Sequence, residues 1–238
     1  MRVAALSDIH GNLAALEAVV ADLEREDVDG IVVVGDTISG PWPVEALELV
    51  ASLGADVICG NADREVVMRS DRFGQLAPWC AARLGEECLE RARQWPLTIE
   101  LEVEGIGRVL ACHSTPASDE PIYTQITPER ELLELLGEVE SDVVLCGHTH
   151  MQYDRLLSTG LRVVNPGSVG MPYEGRRGAY WALLGPDVDF RRTEYDVEGA
   201  VAAMRELDAP LSDEQLQLLL EPLDPETATA EFESLRGA

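Results

Sequence analysis

Lysine is missing from this chain: all 18 basic residues are arginine, set against 44 acidic ones for a formal charge of −26. A field of that sign repels a phosphate backbone, and no basic stripe interrupts it, which argues against a dedicated nucleic-acid binder. A small anionic substrate is admissible only where something strongly positive overrides the field locally, as metal ions would. Long apolar runs are missing too. No stretch approaches the roughly 20 apolar residues of a membrane helix. "MRVAALSD" has neither the long apolar region nor the small-residue cleavage site of a signal peptide, so the expected location is cytoplasmic, with no membrane partner. Cysteines number five, an odd count without a CxxC pair. Cys59, Cys112 and Cys146 close apolar runs, where reduced thiols serve as small hydrophobes.

What is present is a pattern of apolar runs alternating with helical spacing. Hydrophobic residues make up 46% of the 238, enough for a sizeable core. Strands are expected at 2–7, 30–35 and 55–59, with a helix after Asn12 on Leu13, Leu16, Val20 and Leu23, and another from Pro43 to Gly54. Such βαβαβ alternation predicts a largely parallel sheet with helices on its faces. Two helices are expected within 62–95, interrupted at "GQLAP". A hairpin at 97–103 and 108–113 turns at "EGIG". A helix follows over 127–140, then a strand at 142–146 and short strands at 153–157, 161–164, 179–184 and 188–194, which predict a second sheet. Two more helices begin at Val197 and Asp213, ahead of an acidic tail read as frayed. No internal repeat interrupts what reads as one domain over 1–238, with a helical extension from about 197.

The chemistry-bearing residues fall at the carboxyl ends of these strands. Asp8 and His10 follow the first, Asp36 the second and Asn61 the third; His113 follows the strand ending at Cys112, and His148 with His150 the one ending at Cys146. In open α/β sheets that edge is where ligands bind. Singly, each residue is well explained as a turn former or a satisfied core histidine. Together they are not, because all four histidines of the chain lie at strand ends beside carboxylates, amides or small residues. Seven such donors overfill one tetrahedral ion. Two ions roughly 3.5 to 4 Å apart use them all and suit in-line displacement at phosphorus. Imidazole selects Mn, Fe, Co, Ni or Zn over Mg, and in extended backbone residues i and i+2 point the same way, so "HTH" and "DIH" each aim two side chains together.

In order and spacing, "DIH", "GDTISG" (35–40), "GNAD" (60–63), "CHS" (112–114) and "GHTH" (147–150) resemble the motif series of the calcineurin-like metallophosphoesterase superfamily. The likeness covers residues 1 to about 195 and is greatest to its small stand-alone prokaryotic branch, through "NPGS" at Asn165–Ser168. It implies an α/β fold, a two-sheet β-sandwich flanked by helices. It also implies two divalent transition-metal ions, Mn first among them, with Asp8, His10 and His150 on one, Asn61, His113 and His148 on the other, and Asp36 bridging. Asp36, Asn61 and His148 are then the catalytic positions. Two dications less the charges of Asp8 and Asp36 leave about +2, enough to hold a phosphate against an acidic surface. A bridging water that loses its proton near neutral pH is the expected nucleophile.

Arg64, Arg176 and Arg177 are candidates to grip phosphate oxygens through the guanidinium fork, Arg64 and Arg177 foremost, and the "NPGS" amides are candidates to face an anion. Two departures from the family pattern stand out. Ala62 occupies the place of a histidine that contacts phosphate and protonates the leaving group, and Ser114 replaces a glycine after the ligand histidine, where its hydroxyl has substrate within prospect. The expected activity is hydrolysis of phosphodiesters or phosphoanhydrides of small phosphorylated molecules. A phosphoprotein phosphatase and a non-catalytic association module of the same fold are the alternatives, the second favoured by Ala62 and disfavoured by the intact seven donors.

Overall fold

The structure is a computed structural model and describes residues 1–72 and 74–236. Its first half runs β1 (Val3–Leu6), α1 (Leu13–Leu23), β2 (Gly30–Val33), α2 (Pro43–Ser52), β3 (Asp56–Val57), α3 (Asn61–Met68) and α4 (Leu76–Arg93). There follow β4 (Thr98–Val103), β5 (Gly107–Cys112), α5 (Glu129–Leu136), β6 (Val143–Leu145), β7 (Gln152–Leu156), β8 (Arg162–Pro166), β9 (Ala179–Leu184), β10 (Val188–Thr193), α6 (Val197–Glu206), α7 (Asp213–Leu220) and α8 (Pro225–Leu235).

Two five-stranded sheets form, in the orders β10-β9-β1-β2-β3 and β4-β5-β6-β8-β7. β1 is central to the first and buried on both faces, so its four residues are all apolar. Strand alternation sends Val3 and Ala5 between the sheets, where they meet Val32, Val109, Leu145 and Val164. Ala4 and Leu6 point the other way, onto Leu16, Val19 and Leu23 of α1 and onto Ala46 and Val50 of α2. α5 covers the outer face of the second sheet through Leu132 and Leu136. Each such Val or Leu, fully buried, contributes about 1.5–3 kcal/mol.

The pattern of runs differs from this architecture in three places. The β9–β10 hairpin joins the first sheet, antiparallel to β1, whose partners there include Val3↔Leu184 and Ala5↔Ala182. Strand 55–59 shrinks to two paired residues, because the chain must leave the sheet to place "GNAD". The acidic tail is an ordered helix. Asp224 caps α8 by accepting the Thr227 N–H, Pro225 starts its first turn, and Ala228 and Thr229 are buried. Its polar side chains dock it: Thr124 Oγ1 donates to Glu233 Oε1 at 2.7 Å, and Gln125 Nε2 to Thr229 Oγ1 at 2.8 Å.

α6 and α7 pack on one another through Val197, Val201, Met204, Leu216 and Leu219, and reach the body of the molecule through Trp42, Met171 and Tyr195. Among the described residues no helix is long and apolar enough to cross a membrane, and all five cysteines are free thiols.

Candidate metal centre

The strand ends converge on one point. Backbone hydrogen bonds lace the loops together there: His10 N–H donates to Asp36 O at 2.8 Å, Asp8 N–H to Gly35 O at 3.1 Å and Gly147 N–H to His113 O at 2.9 Å. The turns this requires are tight. Six non-glycine residues among those described have positive φ, and five of them are expected ligands: Asp8 (52°), His10 (47°), Asp36 (54°), His148 (69°) and His150 (60°). Left-handed backbone costs an L-residue about 1–2 kcal/mol, so the surrounding sandwich holds these conformations against their local preference.

The side chains form two adjoining groups of donor atoms, Asp8 with His10 and His150, and Asp8 with Asp36 and His113. In the first, His150 Nε2 lies 3.2 Å from Asp8 Oδ1 and 3.2 Å from His10 Nε2. In the second, His113 Nε2 lies 3.0 Å from Asn61 Oδ1 and 3.4 Å from Asp36 Oδ2. That same Asp36 oxygen is 3.7 Å from His10 Nε2, so it sits between the groups. Its other oxygen is tied back by the Ala62 N–H at 2.8 Å, at the start of α3. His148 belongs to neither group but adjoins the second, its ring edge-on to that of His113 at 5.1 Å. Its backbone N–H donates to the Asp8 carboxylate, and its buried Nε2 has no hydrogen-bond partner.

Three of the four rings are held from behind. The Nδ1–H of His113 donates to Val34 O (2.8 Å), that of His150 to Met171 O (2.7 Å) and that of His10 to Ser39 O (3.3 Å). This fixes the tautomer and turns each Nε2 lone pair into the cluster, the usual arrangement behind a metal-ligating histidine. Carboxylates and rings also couple to one another electrostatically. Burial opposes ionisation of Asp8, but the adjacent His150 holds its carboxyl below the usual range. Asp36 is likewise pulled down, against burial, by His113 and His10. In return, and also against burial, Asp36 lifts His113 to about 10. Burial, aided by the His113 charge, pushes His148 down to about 4 and leaves it neutral near pH 7, the form that ligates.

Several supporting residues escaped the sequence reading. Asp63, buried, accepts from Thr37 N–H (2.8 Å), Ile38 N–H (2.9 Å) and Gly60 N–H (3.1 Å), tying the Asp36 loop to the Asn61 loop. Burial and the charge of Asp36 raise it to about 7, while those amides favour its ionised form. Its signal was the fourth letter of "GNAD". Tyr173 stacks on His150 at 5.1 Å and 13°, and no pattern announced it.

Other candidates have partners of their own. Arg64 forks onto Asp119 (2.8 and 3.2 Å) and also pairs with Glu120, so its guanidinium is committed to carboxylates. Arg177 pairs with Glu198 and donates to Leu220 O, bracing α6 against α7. Tyr180 donates to the Arg176 carbonyl at 3.0 Å. Within "NPGS" the Gly167 amide is spent internally, and the two residues just past the motif grip the ligand loops. Gly167 N–H binds Asn165 Oδ1, Val169 N–H binds Ser7 O and Gly170 N–H binds Asp8 O, while Asn165 Nδ2 holds Gly147 O. The stretch 165–170 therefore clamps the ligand loops. Ser114 donates its hydroxyl to Pro121 O.

Beside His10, Asn61 and Ala62 a cavity of about 500 Å³ opens and extends to the faces of α6 and α7. Two carboxylates, an amide and four imidazoles around one point, opening onto such a cavity, agree with the outcome of comparison with known proteins. Residues 1–185 match the calcineurin-like phosphoesterase superfamily domain. The chain belongs to that superfamily. It is similar to phosphodiesterase YfcE of Escherichia coli, 26% identical over 194 residues, which cover 77% of this chain and 87% of that protein. An uncharacterised protein of Methanocaldococcus jannaschii is 29% identical over 225 residues, 83% and 89% of the two chains. A crystal structure of a metallophosphoesterase from Sphaerobacter thermophilus superposes with a TM-score of 0.73 at 29% identity, covering 93% and 98%. The two sheets and their flanking helices are thus the metallophosphoesterase sandwich, and the superfamily is metal-dependent. The superfamily match ends at residue 185, so the helices α6, α7 and α8 lie beyond it.

Proposed function

We propose that the protein is a dinuclear metal-dependent phosphoesterase acting on phosphodiester or phosphoanhydride bonds of small molecules. Asp8, His10 and His150 would hold one divalent transition-metal ion, Asn61, His113 and His148 the other, and Asp36 both. The observation that carries this reading is the buried, unpartnered Nε2 of His148. A buried polar atom without a partner costs about 1–3 kcal/mol, a penalty that vanishes when the atom is a ligand. The donor set of nitrogen and oxygen fits Mn, Fe, Co, Ni or Zn better than Mg. When bound, the ions supply Lewis-acid polarisation of a phosphoryl oxygen and acidify water as a nucleophile.

The chain's own part is to orient. Val34, Met171 and Ser39 carbonyls aim the rings, and the Ala62 N–H fixes the carboxylate between the two groups. In the hydrolysis, water oxygen bonds to phosphorus, the bond from phosphorus to the leaving oxygen breaks, and that oxygen gains a proton. Metal-stripped protein reloaded with Mn, Zn, Ni, Co or Mg and given mono- and diesters, cyclic nucleotides and dinucleoside polyphosphates tests the proposal. Transition metals, Mn first, are expected to restore far more turnover than Mg. Full activity with Mg alone, or no hydrolysis with any ion, would overturn it.

Ala62 gives a second expectation. All four imidazoles lie in the cluster, and Ala62 lines the cavity beside Asn61 without a proton donor on its side chain. Positioned acids contribute typically 10² to 10⁴-fold, and most for basic leaving groups. On leaving-group grounds aryl diesters and anhydrides are therefore favoured and alkyl monoesters disfavoured. Ala62→His is expected to raise turnover of alkyl monoesters selectively, at constant metal content. Equal wild-type rates on alkyl monoesters and aryl diesters would contradict this.

A further inference from the structure

The cavity beside the metal centre has a composition that its position alone does not require. Its inner end is polar, at His10, Asn12 and Asn61. Its outer walls are apolar: Met171, Met204, Leu211, Leu216 and Leu219 line it, the last four from α6, α7 and the turn between them. No arginine is among the described residues that line it, and the one acidic side chain there, Glu65, is paired with Arg64 at 3.2 Å. Polar groups on the α7 side are already used. Ser212 and Gln215 cap each other reciprocally, the Ser212 hydroxyl accepting the Gln215 N–H and the Gln215 amide oxygen accepting the Ser212 N–H.

We infer that this cavity binds the organic group of the substrate, and that this group is neutral, largely apolar and about the size of an aromatic ring system. The inference rests on the phosphoesterase reading, because the phosphorus must sit at the polar end. Each competing class meets a physical obstacle. A second phosphate, as in a nucleoside polyphosphate, would enter a chamber without a cation inside a protein of charge −26. A phosphorylated acidic peptide meets the same field. A methyl or other small ester leaves most of the 500 Å³ to water, whereas ligand pockets of about 300–1,000 Å³ enclose whole drug-sized molecules. An apolar ring against Met171, Met204 and Leu211 gains burial. Specificity would then reside in α6 and α7, beyond the residues that the superfamily domain matches.

The test holds the leaving group constant and varies the other substituent. p-Nitrophenyl phosphodiesters carrying methyl, phenyl or carboxyphenyl groups are compared by kcat/KM on metal-loaded protein. Burial of a ring the size of a Phe side chain should favour phenyl over methyl by about 10- to 100-fold, and carboxyphenyl should lose that advantage. Leu211→Ala should move the phenyl-to-methyl ratio toward one, and Gln75→Arg, an exposed change at the cavity rim, should raise carboxyphenyl relative to phenyl. Protection against thermal unfolding by phenylphosphonate and methylphosphonate gives a readout independent of turnover. Equal rates for methyl and phenyl diesters, with equal protection by the two phosphonates, overturn the inference and leave the phosphoesterase standing. Preferential protection by phenylphosphonate in a protein that hydrolyses nothing would have the opposite meaning, sustaining the pocket and refuting the enzyme.

Discussion

Asp36→Asn is expected to cost more activity than any other single change among the seven donors. Its Oδ2 lies 3.4 Å from His113 Nε2 and 3.7 Å from His10 Nε2, within both halves of the cluster, and its Oδ1 is anchored by the Ala62 N–H. An amide in its place removes one negative charge from between two dications and presents either a single acceptor or a repelling N–H. Even outer partners of metal ligands are worth about 10- to 100-fold, so a shared ligand should exceed the upper end of that range. Both turnover and bound metal should fall. His10→Ala should be milder, since Asp8 and His150 remain on that side. Should the two variants lose activity equally while each retains two ions, the shared role does not belong to Asp36.

Gly60→Ala is expected to have nearly as large an effect without touching a donor atom. A Cβ at position 60 would stand 2.1 Å from Asp36 Oδ1 and 2.4 Å from Asp36 N. Both lie inside van der Waals contact, and neither belongs to the loose end of a flexible side chain. Either the carboxylate rotates out of place or the Gly60–Asp63 turn opens, breaking the Gly60 N–H bond to Asp63. Overpacking of this kind costs about 1–3 kcal/mol, and here the displaced group is the proposed shared ligand. Metal content should drop together with the unfolding temperature. Gly30→Ala, where nothing lies within 4 Å, is the control and should alter neither. Normal metal binding in Gly60→Ala would show that the turn has slack the distances deny.

The positions of the donors were legible because of chain economy. A buried parallel strand must be apolar, and a polar residue directly after it marks the sheet edge, so Asp8, Asp36, His113 and His148 could be placed without a structure. Non-local choices were not legible. β9 reads the same whether it pairs with β8 or β1, and only the closing of the sandwich decides. α8 was hidden because its buried face is made of Ala228 and Thr229 and its anchoring comes from Glu233 on two threonines, a composition that mimics a solvated tail. Arg64 was misleading for a related reason. Its guanidinium fork suggested phosphate, but its partners Asp119 and Glu120 come from a loop far along the sequence.

The placement of β9 has a consequence for synthesis of the protein. By residue 150 a growing chain already carries every proposed ligand, from Asp8 to His150, yet β1 still lacks the neighbour that will flank it. Its exposed edge stays open until residues 179–184 arrive, and the Ser168 hydroxyl that grips the Asp8 carbonyl at 2.7 Å arrives only shortly before. Pairings across such a separation close slowly, and an unpaired edge strand in the interval is prone to wrong partners. On the proposed reading, metal capture is therefore expected to follow closure of the sandwich instead of nucleating it.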